Sequence, residues 1–402
     1  MAKRLRNTLL ILLGLSLSLA SYSQAKRPQA RRTAERSFVG TPHSVEVKAQ
    51  EVFLKASQDR ASRRDVSQLR PQVLKSAGEP IGLPNRLPQA RETIDGPTRV
   101  NAFGTLNLQS DLPPNTDMAV SGNGLVVTVD NDYLGIWDTQ GDEVLVETWI
   151  DFFAGIDVTL GGEILFPRVT IDPVTGRFVV AVNYGESGDE SSLFMLVSDT
   201  DDPSLGWLVY EFFGSDWQDA GTLTALSVGV STEEIFITAD VVNEFQDQVD
   251  AVVYQIDKSE AFAGASVGYL IYQDLLDFDN VLGSHLHVTQ YDFNATVGSG
   301  MYLVSRAADF VLLWDITGTI DDANTQMDLY EYAAESYTFK PQIEQLGSSD
   351  VLFGGNGQIS DALYADDFLY LVHTAVDPAT GRQGVVLWRV DAVSDALDGY
   401  FY

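Results

Sequence analysis

Leu134-Gly-Ile-Trp-Asp138, Leu193-Phe-Met-Leu-Val-Ser-Asp199, Val252-Val-Tyr-Gln-Ile-Asp257, Val311-Leu-Leu-Trp-Asp315 and Val385-Val-Leu-Trp-Arg-Val-Asp391 repeat one phrase, an apolar run that closes on an aspartate. The aspartates are 61, 58, 58 and 76 residues apart. Between them lie further short runs, such as Gly124-Leu-Val-Val-Thr-Val129, Arg177-Phe-Val-Val-Ala-Val182 and Phe368-Leu-Tyr-Leu-Val372, separated by Gly, Asp, Asn and Pro. Runs of that length and chemistry between turn formers are strands. No segment after residue 100 keeps a long helical period, so the fold class is all-β. Each interval is long enough for one four-stranded sheet with long loops. Successive sheets of this kind bury their apolar faces on one another when arranged around an axis, as in a β-propeller. Five repeats are visible, and their spacing exceeds the ~40–50 residues of compact propeller repeats, which leaves about five to seven blades. A sandwich and a β-helix are the alternatives; against the sandwich, the strand-rich stretch is long for one such domain.

Working outward, the chain divides electrostatically. Residues 1–100 hold 18 Lys and Arg against eight carboxylates, a net +10, and residues 101–402 hold seven against 49, a net −42. A surface that acidic repels nucleic acid and anionic lipid and favours cations and basic partners. At the N-terminus, Lys3, Arg4 and Arg6 precede the apolar run Leu9 to Leu19, with small residues at Ser18, Ala20, Ser23 and Ala25. That is the order of a secretory signal, assigned to residues 1–25. The run is shorter than a bilayer span of roughly 20 residues, and no later stretch is long enough. Residues 26–100 are basic and Pro-interrupted, which describes a low-order arm or pro-region. Val45, Ala49, Val52 and Ala56 give one stretch of it a helical period. The acidic propeller domain is residues 101–402. The absence of cysteine removes disulfides, thiolate metal sites and Cys nucleophiles.

Three runs carry a resemblance. They are Asp111-Leu-Pro-Pro-Asn-Thr-Asp-Met-Ala-Val120, Pro167-Arg-Val-Thr-Ile-Asp-Pro-Val-Thr-Gly-Arg-Phe178 and Val197-Ser-Asp-Thr-Asp-Asp-Pro-Ser-Leu-Gly-Trp207, with Tyr210 and Phe212. The chain resembles large secreted bacterial β-propeller proteins of unsettled activity over these residues, and less closely to Asp391. The resemblance implies a propeller and export, and it brings no catalytic residues.

The residues that could carry chemistry are mostly acids. Asp199, Asp201 and Asp202 form the densest cluster and are the metal-site expectation, with calcium as the ion, because Ca²⁺ takes six to eight oxygen ligands in flexible geometry. Asp130, Asp132, Asp277, Asp279, Asp321 and Asp322 form similar groups, and none fits the EF-hand loop. The competing reading is turn acids that accept from their own backbone. His285-Leu-His287 on a strand puts two rings on one face, as a Zn²⁺ pair would require, but lacks a clear third ligand; His373 stands alone. The run Asp199 to Trp207 also resembles the opening motif of calcium-dependent propeller phytases, yet seven basic residues supply few phosphate donors. The sialidase repeat boxes are missing. There is no G-x-S-x-G, H-E-x-x-H or Walker loop. Trp137, Trp314 and Trp388 recur at matching places, which favours blade packing over sugar stacking.

These residues describe a secreted extracellular β-propeller, with periplasm and cell surface as variants, that acts as a binding or interaction module for an extracellular protein or glycan and not for nucleic acid. No catalytic residue is assigned. The alternative is an extracellular glycan-acting hydrolase that uses carboxylates at the propeller centre.

Overall fold

A computed structural model of the chain describes two short strands, Arg32–Thr33 and Gln50–Val52, and, apart from several loop segments, residues 115–401. Five four-stranded blades follow in chain order. Blade 1 is Asp117–Val120, Leu125–Val129, Tyr133–Asp138 and Glu143–Thr148; blade 2 is Ile164–Ile171, Phe178–Tyr184, Ser192–Ser198 and Trp207–Phe213. Blade 3 is Thr222–Val230, Glu234–Val242, Gln248–Asp257 and Tyr269–Tyr272; blade 4 is His287–Val288, Met301–Ala307, Phe310–Thr317 and Gln326–Ala333. Blade 5 is Ile359–Ala365, Phe368–Val376, Gln383–Asp391 and Ala396–Phe401, with Gln290–Tyr291 added in parallel to its first strand. Within each blade the four strands are antiparallel neighbours in sequence order. The architecture is therefore a five-bladed β-propeller. The five aspartate-ending runs fall on the third strand of all five blades, so the sequence repeat and the structural repeat coincide.

The aspartates have a local task. Asp138 Oδ1 accepts the N–H groups of Gln140 and Asp142 (2.8 and 2.9 Å), closing the turn to the outer strand. Asp257 Oδ1 accepts from Glu260 N–H at 2.8 Å and caps helix α2, Lys258–Ala263, which ends at Gly264. The other short helix, α1 at Trp149–Ala154, is capped by Thr148 and buries Trp149, Phe152 and Phe153 between blades 1 and 2.

Each apolar cluster fills one junction. Val127, Phe153, Phe178 and Phe194 join blades 1 and 2; Tyr210, Phe212, Ile237 and Tyr254 join blades 2 and 3. Phe236, Val253, Trp314 and Leu329 join blades 3 and 4, and Leu313, Tyr332, Leu371 and Trp388 join blades 4 and 5. Burying one such side chain is worth about 1.5–3 kcal/mol, so these four junctions are the main stabilising term. Trp137, Trp314 and Trp388 are buried in the third strands as expected, and each indole N–H finds a partner two positions along the second strand. The acceptors are Thr128 Oγ1 (2.9 Å), Ser305 Oγ (3.2 Å) and His373 Nε2 (2.9 Å). A buried indole needs such an acceptor, and the repeat supplies one each time. At the junction of blades 3 and 4, a Cβ on Gly229 would lie 2.4 Å from Val288 Cγ1, so only glycine lets these inner strands approach.

The expected signal segment and nearly all of the basic arm lie outside the described residues. Inside the stretch given a helical period, Gln50–Val52 is instead a strand, antiparallel to Trp207–Val209 on the outer edge of blade 2. Arg32–Thr33 pairs in the same way with Asp328 and Leu329 on blade 4. An outer strand offers an unpaired row of N–H and C=O groups, and pairing with it outweighs a weak helical pattern. Among the described residues, no helix is long and apolar enough to cross a membrane.

Candidate functional site: the central channel

Three inner strands break register. The shifts fall between Leu165 and Arg168 in blade 2, Thr224 and Ser227 in blade 3, and Ile359 and Asp361 in blade 5. In the first two the chain passes through left-handed backbone at non-glycine residues, Phe166 (φ 53°) and Ala225 (φ 51°). Such conformations cost of order 1–3 kcal/mol and persist where the surroundings impose them. A bulge re-aims the side chains that follow it. Here the residues that resume the ladder are Arg168, Ser227 and Asp361, and all three line one cavity of about 510 Å³. Blade 1 adds Asp117, Met118 and Val120, the inner strand of blade 4 adds His287, and the short strand that follows it and pairs with blade 5 adds Gln290 and Tyr291. Inner strands of all five blades therefore meet at this channel.

Its polar groups are held from several blades at once. Asp117 Oδ2 accepts the Val169 N–H of blade 2 at 3.0 Å, and Oδ1 accepts its neighbour Met118 N–H at 2.9 Å. Burial raises the Asp117 carboxyl above its ordinary value, outweighing those bonds and the nearby charges of Arg168 and His287. Arg168 donates from Nη1 to the Pro167 carbonyl at 2.9 Å; burial disfavours its charge and Asp117 restores part of it. Gln290 is pinned between blades: its Oε1 accepts from Thr170 Oγ1 at 2.6 Å, and its Nε2 donates to the Val228 carbonyl at 2.7 Å. His287 Nε2 lies 3.4 Å from Asp361 Oδ1, and Nδ1 lies 3.3 Å from Ser227 Oγ. Desolvation alone would raise the Asp361 carboxyl. The hydrogen bond and charge of His287, with the Ala362 N–H, outweigh it and leave the group below its ordinary value.

The expected acidic cluster is elsewhere. Asp199, Asp201 and Asp202 sit in the loop between the third and outer strands of blade 2, and none lines the channel. Asp202 Oδ1 accepts from Ser204 N–H (3.0 Å) and Oγ (2.6 Å), and Asp201 Oδ2 accepts from Asn123 Nδ2 at 3.3 Å. Likewise, Asp130 Oδ1 accepts from the N–H groups of Asp132 and Tyr133 (2.8 and 2.9 Å), and Asp277 Oδ1 from Val281 N–H (2.8 Å). Asp202, Asp130 and Asp277 thus accept from the backbone of their own turns. Among the described residues, no three His, Asp or Glu side chains converge to hold a metal.

The structure separates the two histidines expected to share a face. His285 has left-handed backbone (φ 49°) and its Nδ1 lies 2.9 Å from Asp240 Oδ2, whereas His287 lines the channel. His373 is a satisfied core residue. Its Nδ1–H donates to the Thr374 carbonyl (2.9 Å), Nε2 accepts from Trp388, and burial lowers it to about 4. Sequence reasoning passed over Ser227, Gln290 and Asp361 because no local motif marks them. Asp117 and Arg168 did lie inside runs that stood out for other reasons.

No family model matches the chain, and no curated protein sequence matches it. Among solved structures it is similar to the polysaccharide lyase Uly1, at 12% identity and TM-score 0.41, over 68% of this chain and 57% of the lyase. It is also similar to a subtype N10 neuraminidase-like protein of A/little yellow-shouldered bat/Guatemala/060/2010 (12% identity, TM-score 0.39, 72% of this chain and 82% of that one). A third likeness is to the alpha-L-arabinanase of Cellvibrio cellulosa (11% identity, TM-score 0.31, 71% and 94%). At such identities and scores these likenesses carry no inference about substrate or reaction.

Proposed function

We propose that this chain is an extracellular binding module whose central channel takes a small, hydroxyl-rich ligand of the glycan type. The observation that carries the proposal is the convergence of Asp117, Arg168, Ser227, His287 and Asp361 from five inner strands, with Gln290 beside them, on one cavity of ligand size. Carboxylates and imidazole accept from hydroxyls, guanidinium and amide donate to them, and the exposed Met118 and Val120 offer apolar surface to the C–H faces of a sugar ring. Export is supported by the basic and apolar N-terminal segment. The test is calorimetric titration with a panel of mono- and oligosaccharides. Binding should weaken at least about tenfold in Arg168→Ala and in Asp361→Ala, the loss of a charge-assisted hydrogen bond. Saccharide binding left intact by both substitutions would overturn the assignment to the channel.

The glycan-hydrolase reading retains one specific support. The channel pushes Asp117 up and holds Asp361 down, and two carboxyl groups so separated suit an acid and a base or nucleophile. Release of reducing ends from a polysaccharide panel, abolished in Asp117→Asn, would favour it over binding alone.

A further inference from the structure

One cluster in the channel has a geometry that binding alone does not call for. We propose that Ser227, His287 and Asp361 form a nucleophilic relay that cleaves a short-chain carboxylic ester of a polar alcohol held in the channel. The alcohol part rests on the binding reading above; the relay itself stands on its own geometry. The three residues come from blades 3, 4 and 5 and touch in series, at 3.3 Å from Ser227 Oγ to His287 Nδ1 and 3.4 Å from His287 Nε2 to Asp361 Oδ1. With Nε2–H donating to the carboxylate, the Nδ1 lone pair is left for the Ser227 hydroxyl proton. This is the wiring of a nucleophile, a base and an orienting acid, in which roles and geometry matter more than sequence position.

The surroundings fit the role. Val288 N–H donates to Ser227 Oγ at 3.0 Å, and a donor aimed at this oxygen favours its anionic form. Ser227 resumes the ladder after the strained bulge at Ala225, where the backbone holds an unfavourable conformation beside the channel. Ser227 is 2% exposed, so only a slim acyl group pressed against the inner strands reaches it. Arg168, in the same cavity, has the charge to take the carbonyl oxygen as it becomes anionic. In the reaction Ser227 Oγ bonds to the ester carbonyl carbon while its proton passes to His287. The bond from that carbon to the alcohol oxygen breaks, and the alcohol leaves with the proton. Water then attacks the acyl-serine, His287 takes its proton and returns it to Oγ, and the carboxylic acid departs.

The test uses the full chain with a fluorophosphonate probe, the adduct being located by peptide mass spectrometry, and with 4-nitrophenyl acetate, butyrate and octanoate. The expected adduct is on Ser227, with acetate preferred to octanoate. Ser227→Ala and His287→Ala should each lower kcat/KM about 100-fold or more. Asp361 acts as a positioning residue, so Asp361→Asn should move the acid limb of the pH profile to lower pH as well as reduce the rate. Because Ser227→Ala leaves Val288 N–H without its acceptor, Ser227→Cys provides a second route. It would be the sole thiol in a chain without cysteine, and iodoacetamide should alkylate it at pH 6 at least about tenfold faster than in the Ser227→Cys, His287→Ala double variant. An adduct elsewhere, unchanged hydrolysis in Ser227→Ala, or alkylation indifferent to His287 would each overturn the relay. Saccharide titration separates the two proposals: binding retained and ester cleavage lost in Ser227→Ala supports both, and Ser227-dependent ester cleavage by the unsubstituted chain without saccharide binding sinks the binding reading alone.

Discussion

Blade 3 and blade 5 have the same four-stranded plan and opposite burial. Every residue of the blade 3 second strand, Glu234–Val242, is buried, whereas Phe368–Val376, its counterpart in blade 5, alternates between half-buried and buried almost throughout. The reason is the number of neighbours. Ile235 and Ile237 pack toward blade 2 while Phe236 packs toward blade 4. In blade 5, Leu369 and Leu371 pack toward blade 4, and among the described residues no apolar cluster takes up Phe368, Tyr370 and Val372 on the other face. A strand covered on both sides loses its polar alternation, and any polar residue it keeps becomes buried, as Glu234, Thr238 and Asp240 are. Blade 5 keeps an amphipathic face, where Arg389 lies over the Phe368 ring at 4.7 Å and pairs with Asp398 at 2.6 Å.

The largest effects should come from side chains at the doubly covered junctions. Phe236→Ala and Trp314→Ala, both at 0% exposure, should each cost about 3–5 kcal/mol in denaturant unfolding. A loss under about 1 kcal/mol at Trp314 would mark that position as solvent-accessible and reopen a stacking role. Tyr370→Ala on the half-covered face should stay within about 1 kcal/mol; an effect as large as that of Phe236→Ala would erase the distinction between the blades.

The two blades should also answer pH in opposite directions. Burial lifts Glu234 from 4.5 to about 8, although Ile320 N–H donates to its Oε1 at 3.0 Å. The folded state therefore binds this proton more tightly than the unfolded chain. Its contribution is full below 4.5 and is lost as pH rises through 8. Burial lowers His373 from 6.5 to about 4, so its neutral form contributes above 6.5 and that contribution is lost as pH falls toward 4. Unfolding curves across pH should show Glu234→Gln flattening the alkaline limb and His373→Gln flattening the acid limb. Either variant leaving its limb unchanged would contradict the assignment. The smallest effect concerns Asp199, Asp201 and Asp202. With Asp202 already engaged by Ser204, millimolar calcium should leave the melting temperature unchanged within about one degree, and a saturable rise lost in Asp201→Asn would show that the loop reorganises around an ion.

The repeat was legible because third strands carry their own caps and core side chains: Asp138 and Asp257 stop the strand, and Trp137, Trp314 and Trp388 fill it. The channel was not. Its residues are contributed by inner strands that lie 51 to 74 positions apart, from Asp117 through Arg168, Ser227 and His287 to Asp361. The bulges that aim three of them have no Gly or Pro at the left-handed position, since Phe166 and Ala225 occupy it in two of them. His287 was noticed for its spacing from His285, but the bend at His285 breaks the strand alternation on which that pairing depended. Acid density drew the metal-site expectation to Asp199, Asp201 and Asp202, a loop of blade 2 that lies outside the channel.

The central claim is that one ligand contacts all five inner strands. Hydrogen exchange read by mass spectrometry, with and without the tightest-binding saccharide of the panel, tests it directly. Exchange should slow together in residues 116–120, 168–171, 227–230, 287–291 and 359–361, with the outer strands unaffected. Protection confined to one blade, to the outer strands, or to none would contradict the channel as the functional site.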